Sequence, residues 1–118
     1  MSALADLLAH QRQTEALSQV MGRLGWDQET MMPPGAADQR AEEQGAMEAV
    51  LHARRTDPQV GEWLEAAEPE TDVARANIRE IRRGFERASK VPADLATALA
   101  RLTSKSQGLL AEARRAND

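Results

Sequence analysis

The chain has 118 residues, no cysteine and a formal net charge of −4. This length gives one domain or part of one, and the lack of cysteine excludes disulfides, thiol nucleophiles and cysteine-bound zinc. The negative charge argues against general nucleic-acid binding, which needs a concentrated positive face. No apolar run approaches a membrane-spanning length, and the first residues lack a signal-peptide pattern. Composition therefore indicates a cytoplasmic protein without nucleic-acid or membrane partners.

Aromatic residues make up only 3% of the chain, and tyrosine is absent. The core must therefore be built from Leu, Ala, Val, Ile and Met, a composition that suits helices better than sheets. Apolar spacing predicts an all-α fold, a helical bundle or hairpin array of about five helices in a single segment. The helices are predicted at residues 3–22, 35–54, 58–67, 72–89 and 92–115.

The first predicted helix begins after Ser2 and ends at a glycine. A serine in this position can accept hydrogen bonds from free backbone amides. Gly22 and Gly25 favour an end nearby, since glycine commonly follows a helix. His10 falls in a polar stretch and is predicted to be solvated, neither a ligand nor a base. The apolar stripe of this helix is Leu4, Leu7, Leu8, Leu17, Val20, Met21 and Leu24.

Residues 24–40 form the only irregular segment of any length, and the signature loop is predicted at 25–34 within it. Two glycines and the Pro33-Pro34 pair argue against a continuous helix through this segment. Trp26 and two methionines stand among polar residues such as Asp27 and Glu29, a mixture that is costly to bury unless the polar groups find partners. Two interpretations stay open: a well-packed connection between helices, or a loop that lines the cleft of a larger protein.

Charged residues at the helix ends and an Asp-Pro pair define the second and third predicted helices. Arg54 and Arg55 close the second helix and acidic residues open it, as the helix dipole favours. Asp57-Pro58 marks the start of the third, because Asp accepts from free amides and Pro suits the first helical position. His52 is predicted to be a dipole partner or a partly buried polar residue. The predicted inward residues are Ala37, Ala41, Met47, Val50 and Leu51, then Val60, Trp63, Leu64 and Ala67.

The last two predicted helices carry clear apolar stripes, and the fourth also carries five arginines. Without interleaved aromatics or glycines, the arginines favour a solvated or domain-facing surface over nucleic acid. The stripe of the fifth helix has nearly heptad spacing and is predicted to face inward in a bundle, with a coiled-coil seam as the alternative. The stripes are Ala74, Ile78, Ile81, Phe85 and Ala88, then Leu95, Leu99, Leu102, Ser106, Leu109 and Ala113.

No motif for catalysis or metal binding occurs in the chain. A zinc peptidase usually carries His-Glu-x-x-His, but His10 and His52 are far apart and neither begins this pattern. No serine has the setting of a nucleophile. The acidic residues between Asp27 and Glu43 match no cation-binding loop. Residue chemistry alone indicates a helical module with no catalytic residue and no metal ligand.

Four segments, in order, carry a family resemblance. Residues 24–35, Leu-Gly-Trp-Asp-Gln-Glu-Thr-Met-Met-Pro-Pro-Gly, followed by Arg40-Ala41-Glu42, resemble the amino-terminal signature of the carboxypeptidase Taq family. Residues 56–61, 77–83 and 90–95 are similar to later segments of that family. The resemblance extends from about Leu17 through the last residue.

The resemblance implies a zinc-dependent metallocarboxypeptidase that releases carboxy-terminal amino acids from peptides. Members are almost wholly helical, commonly homodimeric and several times longer than this chain. Their zinc motif and catalytic residues are expected beyond the point where this chain ends. No closing element follows the last predicted helix of this chain. The fragment is therefore expected to be inactive and to hold no cofactor, with zinc implied only for the full-length parent.

The implied partners are the remainder of the carboxypeptidase chain, the parent's peptide substrate and further copies in a homo-oligomer. The family signature is assigned a structural role, with possible groove lining, and no catalytic one. Its members here are Trp26, Asp27, Gln28, Glu29, Thr30, Met32 and Pro33. The alternative is a self-contained helical protein-interaction module without enzymatic activity.

Overall fold

The computed structural model describes residues 2–117 and contains no strand within that range. The all-α prediction is confirmed. In chain order the elements are α1 (Ala3–Thr30), a 3₁₀ turn (Pro34–Ala36), α2 (Ala37–Arg55), α3 (Pro58–Ala66), α4 (Asp72–Ser89) and α5 (Ala93–Arg115).

Side-chain caps fix the starts of three helices. The Ser2 hydroxyl accepts from the amide of Ala5 at 3.1 Å, and Thr71 accepts from the first turn of α4 at 3.0 Å. Asp57 caps α3, where Pro58 occupies the first helical position. These groups satisfy amides that would otherwise lack partners. Local chemistry therefore sets these boundaries, and α3, α4 and α5 begin and end within one residue of the predicted bounds.

Helix α1 continues through both of its late glycines, which corrects the predicted end at Gly22 or Gly25 and the predicted loop at 25–34. A glycine inside a helix costs only about 1 kcal/mol relative to alanine. The helix ends at Thr30 because Pro33 disfavours a helical conformation of the residue before it. The irregular connection is therefore confined to the three residues before the 3₁₀ turn.

The helices form an extended array. The molecule measures 57 × 25 × 22 Å, and its Cα radius of gyration is 17.5 Å. A compact chain of this length would have a radius of gyration of about 13.5 Å. A single closed core is thus absent from residues 2–117, and the helices pack in two groups that are joined by contacts of α2 with α1 and α4.

The first group joins the start of α1 to α3 and α4. Leu7, Val60 and Leu64 are at most 3% exposed and form its centre. The partly buried residues around them are Trp63, Ile78, Ile81 and Phe85. The predicted apolar stripes of the third and fourth helices therefore face the core. One of the α4 arginines, Arg82, lies at the edge of this core and donates to Leu64 O at 3.2 Å.

The second group is the packing of α2 on α5, and it corrects the predicted inward face of α5. Its buried residues on α5 are small, Ala96 and Ser104, and the buried residues on α2 include Ala41 and Gly45. A Cβ at Gly45 would lie 3.5 Å from Thr97 Cγ2, so the two backbones approach closely. The predicted inward leucines face away: the exposed fractions are 47% for Leu95, 51% for Leu99, 61% for Leu102 and 66% for Leu109.

The inward face of α2 is also partly corrected. Ala41 and Leu51 are buried as predicted, but Val50 is 48% exposed. Gln44 and His52 are buried in its place. His52 Nε2 donates to Val91 O at 2.6 Å, which ties α2 to the segment before α5. The prediction of a partly buried polar histidine is confirmed.

A polar network ties α1 to the end of α2 and corrects the prediction that His10 is solvated. His10 Nε2 donates to Arg54 O at 2.9 Å, and Nδ1 accepts from Arg54 Nη2 at 3.3 Å. Arg54 Nε also donates to Thr14 Oγ1 at 3.0 Å. The His10 ring packs on Trp63, with 5.6 Å between ring centroids. Partners distant in sequence therefore cover a histidine whose neighbours are polar.

Candidate functional site at the end of the first helix

The family signature forms the last turns of α1 and the corner that leads into α2. Backbone amides of Met31 and Met32 both donate to Asp27 O, at 2.9 and 2.8 Å. Thr30 Oγ1 donates to Trp26 O at 2.7 Å. These bonds satisfy carbonyls that a helix end leaves free. The signature thus supplies its own helix cap, and Pro33 then directs the chain into the 3₁₀ turn.

Arg40 fixes the angle between α1 and α2 with three hydrogen bonds, a group we call the arginine clamp. Its Nη1 donates to Leu24 O at 2.6 Å, Nη2 to Asp27 Oδ2 at 2.6 Å and Nε to Glu43 Oε1 at 2.9 Å. The Arg40 side chain is only 13% exposed. Its hydrogen bond to Asp27, reinforced by Glu43, raises the pKa of Arg40 above its ordinary value despite the opposing effect of burial. The guanidinium is therefore held in its charged form.

Gln28 connects the corner to α5. Its Nε2 donates to Ser104 O at 2.7 Å, and Ser104 Oγ donates back to Gln28 Oε1 at 3.0 Å. Ser104 is 3% exposed. A carboxamide with both its donor and its acceptor used holds a fixed orientation. The two signature residues Asp27 and Gln28 are thus bonded to different helices, Asp27 to α2 and Gln28 to α5.

The remaining signature residues are solvent-facing or line a groove. Trp26 is 63% exposed and so presents a large apolar side chain at the surface. Glu29 and Pro33 are also exposed. A groove of about 740 Å³ lies between the corner and the end of α5, and its lining includes Gln28, Glu29, Thr30 and Met32. The groove is compatible with the predicted lining role, which stays a prediction.

Sequence reasoning missed two members of the site. Arg40 belongs to the quoted signature, yet no role was predicted for it, because its three acceptors are known only once α1 and α2 are placed. Ser104 carries no local signal at all, since it lies 76 positions from Gln28. A basic residue one turn inside a helix, where the dipole disfavours it, could have drawn attention to Arg40.

The fold and the site define a class of protein: an all-helical assembly with one rigid polar corner and a long helix whose apolar face is uncovered. The profile of the carboxypeptidase Taq (M32) metallopeptidase family matches residues 6–118. The chain therefore belongs to that family.

A curated relative is thermostable carboxypeptidase 1 of Thermus thermophilus. It is 39% identical over 124 aligned residues, which cover 99% of this chain and 24% of the relative. The chain thus spans about a quarter of the length of the relative it matches. No solved structure matches the chain significantly, and no helix in the described range is long and apolar enough to cross a membrane.

The family description implies a metal, but residues 2–117 do not fit one. Within this range no three His, Asp or Glu side chains lie together as possible ligands. His10 uses both ring nitrogens for Arg54, and His52 uses Nε2 for Val91 O. A catalytic zinc needs three protein ligands and an open position. No catalytic step is therefore assigned to the described residues.

Proposed function

We propose that the chain is the amino-terminal helical region of a zinc-dependent metallocarboxypeptidase that releases carboxy-terminal amino acids from peptides. Family membership over residues 6–118 and the relative named thermostable carboxypeptidase 1 support this assignment. The zinc ligands and catalytic groups then belong to a part of the protein outside the 118 residues. The 118-residue chain by itself is inactive under this proposal.

The observation that carries the proposal is the uncovered apolar side of α5, which we call the leucine face. It comprises Leu95, Leu99, Leu102, Leu109 and Leu110, with exposed fractions between 47% and 66%. Fully burying one such side chain is worth about 1.5–3 kcal/mol. Five half-exposed leucines on one helix are typical of a surface that another part of a larger fold covers. A family-length chain would supply that cover.

The signature corner serves this arrangement by rigidity. The arginine clamp sets the direction of α2 relative to α1, and Gln28 ties the same corner to α5. Since α5 carries the leucine face, these bonds orient that face relative to the rest of the array. Under the proposal, the signature orients the region for packing and takes no part in bond cleavage.

Hydrolysis of a peptide with a blocked amino terminus and a free carboxyl terminus tests the proposal. The 118-residue chain with added zinc should release no amino acid above the buffer rate. A family-length protein that contains this region should cleave the same peptide and lose activity with a chelator. Chelator-sensitive cleavage by the purified 118-residue chain would overturn the proposal.

The leucine face also favours a second candidate, a self-contained helical module that binds another protein. The genomic sequence separates the two candidates. An in-frame continuation beyond codon 118 that encodes His-Glu-x-x-His supports the peptidase region, and a stop codon at that point supports the module.

A further inference from the structure

A second groove, which adjoins the one beside the signature corner and shares Gln28 and Gln107 with it, lies where α1, α2 and α5 meet. Its volume is about 430 Å³. Its lining combines apolar side chains with uncharged polar groups. The apolar residues are Met21, Val91, Ala96, Leu99 and Ala100, and the uncharged polar ones are Gln28, Gln44, Thr103, Ser104 and Gln107. Its size suits a short stretch of polypeptide or a small ligand.

The Gln44 side chain is the reason to expect a ligand in this groove. Gln44 is only 7% exposed and lines the groove, and none of the hydrogen bonds within residues 2–117 involves its carboxamide. The carboxamide is not sealed from water, since Arg101 Nε is the fully buried side-chain nitrogen or oxygen of this range that lacks a hydrogen-bond partner, so a ligand in the groove would take the place of water at this amide. By contrast, the carboxamide of Gln28 in the same groove is fully used by Ser104. Gln44 therefore offers a free donor and a free acceptor side by side.

The charges around the groove restrict the chemistry of the ligand. No Lys, Arg or His lines it, and its one ionisable lining residue is Glu48. Glu48 lies 3.9 Å from Arg55, a loose pair. A carboxylate or phosphate would thus meet no cation and one like charge. The groove accepts a neutral ligand and disfavours the free carboxyl terminus of a peptide.

We propose that this groove binds an internal peptide segment. The Gln44 carboxamide hydrogen-bonds one peptide unit, whose own donor and acceptor it complements. An aliphatic side chain of the segment packs against the apolar lining residues Val91, Ala96 and Leu99. The proposal does not depend on the peptidase assignment, since the requirement for an internal segment separates this ligand from the carboxy-terminal substrate of a carboxypeptidase.

Two glycines of α1 provide a matched pair of variants for the test. A Cβ at Gly25 or at Gly22 would meet no heavy atom within 4 Å, so both positions accept a side chain. Gly25 lines the groove and Gly22 does not. Both substitutions to leucine replace a glycine inside the same helix and bring the same gain in helix propensity. Gly25→Leu therefore obstructs the groove, and Gly22→Leu serves as its control.

The test is a titration of the isotope-labelled 118-residue chain with N-acetyl-Ala-Leu-Ala-amide, followed by amide NMR. We expect shifts of the Gln44 side-chain amide and of the groove backbone at millimolar peptide. Gly25→Leu should weaken binding at least about ten-fold, and Gly22→Leu should leave binding unchanged. Gln44→Leu should weaken binding about five-fold, because it removes one or two hydrogen bonds to the peptide.

Two further arms decide the identity of the ligand. The free acid N-acetyl-Ala-Leu-Ala should bind more weakly than the amide, and a longer blocked peptide with the same centre should bind more tightly. Absence of shifts at millimolar amide, equal binding by Gly25→Leu, or preference for the free acid would each overturn the proposal. A longer peptide that binds no better than N-acetyl-leucine-N-methylamide would overturn the assignment to a polypeptide segment.

Discussion

Asp27 Oδ2 and Arg40 Nη2 are 2.6 Å apart across the corner between α1 and α2, and Arg40 Nη1 also donates to Leu24 O. This pair converts a segment that contains two prolines into a rigid joint. Its carboxylate comes from the last turns of one helix and its cation from the first turns of the next. The pair thus joins the end of α1 to the start of α2 across the turn.

Removal of the arginine clamp should destabilise the fold. Arg40→Leu leaves Asp27, Glu43 and the Leu24 carbonyl without their partner. We expect the free energy of unfolding to fall by about 2 kcal/mol, and no further, because the Asp27 and Glu43 carboxylates are partly exposed. Arg40→Lys should lose less, since a single ammonium can keep one of the bonds. Urea unfolding followed by circular dichroism measures both. Arg23→Leu, an exposed arginine of α1, is the control and should stay close to the parent chain.

The contribution of the clamp should not change as the pH rises from about 7 to about 10. Pairing raises the folded-state pKa of Arg40, so the stabilisation is complete below the unfolded pKa and is lost only as the pH passes the folded one. Arginine stays charged over that whole range. The difference in unfolding free energy between the parent and Arg40→Leu should therefore be the same at both pH values. A difference that disappears at the higher pH would contradict the role of the guanidinium.

The leucine face should drive self-association of the 118-residue chain. Exposed apolar patches of this kind favour dimers or higher oligomers in water. Leu102→Lys with Leu109→Lys should yield a monomer with an unchanged helix content, because both residues are more than 60% exposed. Analytical ultracentrifugation over a concentration series measures the effect, with Val73→Lys on α4 as control. A monodisperse monomer of the parent chain at high concentration would contradict this expectation.

The close approach of α2 and α5 should make Gly45 sensitive to size. A Cβ there would be in ordinary contact with Thr97, so Gly45→Ala should be tolerated or slightly stabilising. Gly45→Leu would force the helices apart at a cost of about 1–3 kcal/mol. Gly84→Leu on α4, where a Cβ meets nothing within 4 Å, is the matched control. Thermal unfolding of the three variants tests the packing, and equal stability of the two leucine variants would contradict it.

The core between α1, α3 and α4 should depend strongly on Leu7. This residue is 0% exposed at the centre of its cluster, so Leu7→Ala should cost about 2–5 kcal/mol through lost burial and the cavity left behind. Leu110→Ala, at a residue 54% exposed, should cost far less. Urea unfolding of the two variants gives the comparison, and similar losses would show that the two positions are equally buried in solution.

The sequence by itself determined where most helices begin and end and to which family the chain belongs. Ser2, Asp57-Pro58 and Thr71 act on amides within three residues, so their effect is readable without the fold. The α4 stripe was also readable, because its large apolar residues leave one face to bury. The prediction that the first helix ends at Gly22 or Gly25 was wrong, since a glycine inside a helix costs much less free energy than a proline such as Pro33.

The tertiary structure alone decided which side of α5 is buried and which polar groups meet. Periodicity shows which residues share a helix face and says nothing about what lies opposite. Because Gly45 has no side chain, α2 comes close to Thr97 and Arg101 of α5 at this point, and the leucine face is left outside. Likewise, Gln28 meets Ser104 and His10 meets Arg54 only because packing brings together residues that the chain keeps far apart.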